Sequence, residues 1–133
     1  MLGLSVDKNM IHAVILSDRG DVVSDYHTPS PVESYRDCLL AVSQALTTLE
    51  TKVSTNHPTG IALPGVMVDS VMQNAPLSWL NGKAIQQDLQ ATLGREIVIG
   101  GYGACFTLYE ASYGAGREAE TVFGMHIDAN CTG

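Results

Sequence analysis

The order in which strand-like and helix-like stretches succeed one another constrains this chain more than any single motif. Leu2–Val6 is a short apolar run, Asp7-Lys8-Asn9 a polar turn, and Met10–Leu16 a second run closed by Ser17-Asp18-Arg19-Gly20. That is strand, turn, strand, turn. Residues 21–27 supply a third strand, so the chain opens as an antiparallel meander. Thr28-Pro29-Ser30-Pro31 breaks the pattern. From Val32 onward Tyr35, Leu39, Val42, Leu46 and Leu49 recur at intervals of three and four. This spacing lays one apolar stripe along a helix of about five turns. His57-Pro58-Thr59-Gly60 ends that region, and Ile61-Ala62-Leu63 is a short buried strand. Residues 66–73 read as an irregular strand or hairpin. Residues 83–93 form a second amphipathic helix, stopped by Gly94 at its C-terminal cap. Residues 96–99 give a short parallel strand, Gly100, Gly101 and Gly103 a loop, and residues 104–113 a third helix. Gly114-Ala115-Gly116 ends it, and residues 121–127 give a last strand. The order β-β-β-α-β-α-β-α-β predicts one α/β domain over residues 1–133, a mixed sheet with helices on its faces.

Charge and cysteine usage narrow the function classes. The formal charge is −7, with only seven Lys and Arg spread along the chain. No basic face gathers to meet a phosphate backbone, so nucleic-acid binding by this segment is not expected. No apolar run approaches the ~20 residues of a membrane-spanning helix, and no membrane role is expected. Cys38, Cys105 and Cys131 are odd in number and far apart. They read as small buried or half-buried residues of a reduced, cytoplasmic protein. His12, His27, His57 and His126 show no ligand spacing, so no metal site is expected from the sequence.

The segment Gly60-Ile61-Ala62-Leu63-Pro64-Gly65 resembles the "GIGIPG" stretch of ROK (repressor, open reading frame, kinase) sugar kinases. Further matches follow in the same register: Asn74-Ala75, Trp79-Leu80-Asn81-Gly82, Asp88-Leu89, and Leu93-Gly94-Arg95-Glu96-Ile97. Ala104-Cys105-Phe106, with Leu108 and Glu110-Ala111, is similar to the family's "NDANC.A..EA" helix. Thr28-Pro29 and Tyr35 fall where these kinases carry "TP…Y". The nearest likeness is to bacterial fructokinases and N-acetylglucosamine kinases. The resemblance implies the N-terminal lobe of a ribonuclease-H-like, actin-like ATPase fold, with the last residues opening a second lobe. It also implies, as family activity, an ATP- and Mg-dependent hexose kinase.

Carried over residue by residue, the family's chemistry meets replacements. Its glycine-rich phosphate turn, "D.GGTK", falls on residues 5–10, where Asp7, Lys8 and Asn9 stand without either glycine. Glycine matters there because a side chain blocks the close approach of backbone N–H groups to phosphate. The family's catalytic base is the Asp of an "ND" pair, and Gly101-Tyr102 occupies that place. A phenol with a pKa near ~10 is a poor base at neutral pH. The second phosphate loop, "GTG.G", falls on Asp128, Ala129 and Asn130 with the two residues after them. The resemblance therefore implies a lobe without a catalytic base and without a bound ATP or Mg cofactor. By the same resemblance Gly65, Asn74, Asn81, Gly82 and Tyr102 border a hexose. The alternative is that the glycines serve turns, the asparagines satisfy loop backbone, and Trp79 belongs to the core.

Three functions follow as expectations. The first is a sugar-binding or regulatory lobe that does not transfer phosphate, its partner a hexose or N-acetylhexosamine. The second is a fragment of an active hexose kinase. The third is the effector domain of a ROK transcriptional regulator, although Met1 stands directly at the first strand, where those proteins carry a DNA-binding segment. In full-length relatives a C-terminal helix returns to this lobe, so the resemblance also implies an uncovered apolar patch and self-association or a second-lobe partner.

Overall fold

Alternation of buried and half-buried residues along the first strands decides which way the sheet faces. In β1 (Leu2–Val6) the side chains of Leu2, Leu4 and Val6 are buried, and in β2 (Met10–Leu16) those of Ile11, Ala13 and Ile15. Strand β3 (Val22–Pro29) completes an antiparallel meander in which Leu4 pairs with Ala13 and Ala13 with Tyr26. The computed structural model describes residues 1–29, 32–51, 57–127 and 131–132.

Helix α1 (Tyr35–Glu50) covers the buried face of this meander with Cys38, Val42, Ala45, Leu46 and Leu49. The stripe read from the sequence holds, but the helix starts at Tyr35 and not at Val32. Val32 is buried and its N–H donates to the Lys8 carbonyl at 3.2 Å, tying it to the β1–β2 turn. Ser34 is the N-cap instead. Its Oγ accepts the Asp37 N–H at 3.2 Å and donates to the Asp37 carboxylate at 2.7 Å, a reciprocal cap that satisfies an orphan donor of the first turn.

Strands β4 (Thr59–Leu63) and β7 (Ile97–Gly101) extend the sheet in parallel, giving the order β3-β2-β1-β4-β7. Their buried residues, Thr59, Ile61, Leu63, Ile97 and Ile99, continue the face begun by β1 and β2. Between them lies a small hairpin of β5 (Val66–Val68) and β6 (Val71–Gln73). A 3₁₀ turn at Ser78–Leu80 and helix α2 (Ile85–Leu93) follow, and Gly94 caps α2 at φ +65° as its sequence position suggests. Helix α2 begins two residues later than expected. Lys83 is held by its N–H to the Leu80 carbonyl and by its own carbonyl accepting the Met72 N–H.

Two expectations are corrected. Gly100 and Gly101 are not loop residues: they pair with Ala62 and Leu63 inside β7, and Gly103 lies in α3 (Tyr102–Ser112). A Cβ at Gly100 would lie 2.7 Å from the Cys105 sulfur, so glycine there lets α3 pack on the sheet. The last strand is shorter than the 121–127 run. Only β8 (His126–Ile127) pairs, with β9 (Cys131–Thr132), while Gly124 packs directly against Thr107 of α3. The chain before β8 is thus spent on α3 and not on a sheet partner.

Burial pushes the Cys38 thiol up to about 12 and raises that of Cys105, so both are protonated, unreactive thiols at neutral pH. Among the described residues no helix is long and apolar enough to cross a membrane.

Candidate functional site

In a sheet with parallel strands, ligand sites collect beyond the carboxyl ends of those strands. Here that edge is formed by the ends of β1, β4 and β7. It carries the Asp7–Asn9 turn, the Pro64–Gly65 turn and the junction of β7 with α3 at Gly101-Tyr102. The structure thus brings the turn expected to be a degenerate phosphate loop, and the residue pair expected at the family's base position, to one edge of the sheet.

At the β1–β2 turn the Asp7 carboxylate accepts the Lys8 N–H at 2.6 Å, and the Asp7 N–H donates to the Met10 carbonyl at 2.9 Å. Two of the turn's backbone donors, those of Asp7 and Lys8, are thereby engaged within the turn itself. Beyond it, the Tyr102 hydroxyl donates to the Val6 carbonyl at 2.5 Å. Strand β4 separates β1 from β7 in the sheet, so this phenol reaches across the end of β4 to the last residue of β1. Next to it, Gly101 is pressed against the main chain of Gly65. A Cβ on Gly101 would overlap the Gly65 carbonyl oxygen and lie 3.3 Å from its carbon. The space into which a side chain at position 101 would project is filled by the Pro64–Gly65 turn.

The other residues expected to border a hexose gather around the β5–β6 hairpin, and local backbone needs account for most of them. Gly65 has φ +137°, and a Cβ there would sit 2.6 Å from the Met72 sulfur. Gly82 has φ +75°, and its N–H donates to the Met72 carbonyl at 2.8 Å. Asn81 uses both ends of its amide on one residue: Oδ1 accepts the Ala75 N–H at 2.8 Å and Nδ2 donates to the Ala75 carbonyl at 3.1 Å. Asn74 is exposed, with a left-handed φ of 51°. Trp79 is half-buried and packs against the core. Asp128, Ala129 and Asn130 lie outside the described residues.

One concavity was not foreseen in the sequence. A cleft of about 260 Å³ is lined by Lys8, Asn9, Val32, Glu33, Leu77 and Trp79. It shares Lys8 and Asn9 with the predicted phosphate turn and none of the five predicted sugar-facing residues. Pattern alone could not reveal it, because Trp79 reaches Lys8 only through the fold. Beside it, Tyr35 donates to Asp88 at 2.5 Å and lies under the Lys83 ammonium, 5.3 Å from the ring centroid. Burial, reinforced by the Asp88 hydrogen bond, raises the Tyr35 phenol well above its usual range.

A family model described as ROK family matches residues 1–132. The chain belongs to the ROK family. An N-acetyl-D-glucosamine kinase of Vibrio atlanticus (strain LGP32) is 27% identical over 128 residues, 92% of this chain and 41% of that protein. Among solved structures, the inorganic polyphosphate/ATP-glucomannokinase from an Arthrobacter species (strain KM) superposes with a TM-score of 0.78 at 23% identity. It covers 90% of this chain and 50% of its own. A ROK family glucokinase from Streptomyces griseus, in complex with glucose and AMPPNP, gives a TM-score of 0.78 at 17% identity over 89% of this chain and 38% of its own. These structural likenesses establish the sugar-kinase type of actin-like fold. The chain spans less than half the length of the N-acetylglucosamine kinase it matches and half or less of these two structures.

Proposed function

We propose that this ROK lobe binds a hexose or N-acetylhexosamine in a ligand-sensing or regulatory role and does not transfer phosphate. The observation that carries the reading is the Tyr102–Val6 hydrogen bond. At the place where the family carries a carboxylate base, this chain has a phenol whose hydroxyl is engaged with a main-chain carbonyl. The β1–β2 turn supports the same reading. A phosphate cradle offers free N–H groups to an anion, whereas here the Lys8 N–H is taken by the Asp7 carboxylate. A second carboxylate, Asp128, stands in the other phosphate-loop sequence. These residues do not fit a bound nucleotide.

The cleft beside Trp79 supports the sugar side. Its volume lies just under the ~300–1,000 Å³ usual for small-molecule sites, which suits a monosaccharide. Lys8, Asn9 and Glu33 offer it donors and acceptors. The reading includes a cytoplasmic setting. It also includes self-association or docking of a second lobe through exposed Leu108, Tyr109 and Phe123, which light scattering over a concentration series reads.

The test is thermal stabilisation by fructose, glucose, mannose, their N-acetyl amines and MgATP, run beside a coupled phosphorylation assay. A shift with one sugar, none with MgATP, and no turnover is the expected result. Phosphorylation of any of these sugars refutes the reading. A second reading is a fragment of an ATP-dependent hexose kinase, favoured by the 27% identity to the N-acetylglucosamine kinase across 92% of the chain. It predicts turnover once the matching C-terminal half is added.

A further inference from the structure

His12 and His27 are fifteen positions apart, and nothing in their spacing suggests a ligand pair. Strand register changes that. His12 of β2 pairs directly with His27 of the edge strand β3, and directly opposed residues of an antiparallel pair have Cβ atoms about 4.5–5.5 Å apart. Asp25, two residues before His27, projects from the same side of β3 because side chains alternate along a strand. The three side chains meet. The imidazole rings stack with centroids 3.9 Å apart and planes 24° from parallel, and His27 Nε2 lies 2.9 Å from the Asp25 carboxylate. One ligand atom from each residue lies within 4.8 Å of the other two.

We infer that His12, His27 and Asp25 form a binding site for a borderline divalent transition metal of the Zn²⁺ class. Two imidazole nitrogens and one carboxylate oxygen are the donor set that such ions take, with water filling the remaining position. Two of the three donor atoms already stand near a coordination spacing. Tetrahedral coordination with metal–ligand bonds of about 2.0–2.1 Å puts neighbouring donor atoms about 3.3 Å apart, against 2.9 Å between His27 and Asp25 now. The metal would take the hydrogen-bonding position between these two, and the two rings must turn out of their stacked arrangement so that the in-plane lone pair of His12 also meets it. The histidine–carboxylate pair is solvent-facing, with side-chain exposures of 50% for His27 and 59% for Asp25. An ion therefore enters without opening the core, and the negative net charge of the chain favours its approach. A filled site joins β2 to the edge strand through side chains as well as through the ladder. His12 lies directly opposite Ser5, the first position of the degenerate phosphate-turn sequence. None of the three ligands is among the predicted sugar or phosphate residues, however, and the test does not depend on them.

Calorimetric titration of the chain with Zn²⁺ in a non-chelating buffer should give one ion per chain, reversed by EDTA. His12→Gln and His27→Gln should each weaken binding at least tenfold, and Asp25→Asn by a smaller factor. His57→Gln should leave it unchanged. Absence of saturable binding overturns the inference, as does binding that survives His27→Gln or is lost with His57→Gln. All four substitutions are made at residues outside the buried core, and circular dichroism of each variant verifies that the fold is retained.

Discussion

Replacing Gly101 by alanine tests whether the turn after β4 is locked against the end of β7. The added methyl meets main chain and not a side chain that can swing away. It overlaps the Gly65 carbonyl oxygen, with the carbonyl carbon at 3.3 Å and the Val66 Cα at 3.7 Å. Gly65 cannot easily retreat, because its own neighbours are Met72, Ala75 and the Gln73 carbonyl, all within 3.1 Å of where its Cβ would be. The β5–β6 hairpin must move as a piece. Overpacking of this kind costs about 1–3 kcal/mol, and a backbone obstacle belongs in the upper part of that range. Any glycine-to-alanine change also gains about 0.5–1 kcal/mol by restricting the unfolded chain. Gly60→Ala isolates that gain, since a Cβ there meets nothing within 4 Å. The two variants should differ by about 2–3 kcal/mol in urea unfolding, Gly60→Ala lying at or above the parent and Gly101→Ala below it. In thermal melts the gap should be roughly 6–15 °C for a domain of this size. If the two agree within about 1 kcal/mol, the turn is free to yield and the reading of that edge as filled is wrong.

Asn81→Ala removes both hydrogen bonds to Ala75 and should lower unfolding stability by about 1–2 kcal/mol with no sugar present. An unchanged stability, with loss only of a sugar-induced shift, would instead make Asn81 a ligand contact. Alkaline pH gives a further check. The Cys38 thiol rises from 9.0 to about 12 on folding, and Tyr35 moves in the same direction. A group raised in this way contributes stability in full below its unfolded pKa and loses it as pH climbs towards the folded value. The parent should therefore weaken between pH 9 and 12, and Cys38→Ala, compared at each pH, should weaken less steeply. Parallel curves would show that the thiol is not the responsible group.

Much of the fold was legible because its signals are local. Period-two burial in β1 and β2, the three-and-four spacing of α1 and the glycine that stops α2 each depend on a few neighbouring residues. Errors fell where a distant partner decides. Gly100 and Gly101 resemble loop residues until β4 supplies their ladder, and Val32 resembles a helix start until the Lys8 carbonyl holds it. The site was less legible for the same reason. The resemblance implies that Tyr102 falls at the family's base position, but the sequence says nothing of Val6, 96 residues away. Nor can it say that Trp79 and Lys8 line one cleft, or that His12 faces His27. These are products of register and topology, which residue spacing does not encode.

The uneven burial of the two longest helices has a consequence for how the lobe breathes. Five residues of α1 are sealed in the core, whereas Gly103 alone is buried in α3. Amides in an element with few buried contacts exchange with solvent through local opening, and those in the core exchange only when the whole domain unfolds. The amides of α3 should therefore exchange orders of magnitude faster than those of α1. Tyr102 is the first residue of α3, so an opening that reaches the first turn should also loosen its phenol from Val6. Access to the end of the sheet is then set by the small free energy of fraying one helix and not by the stability of the domain.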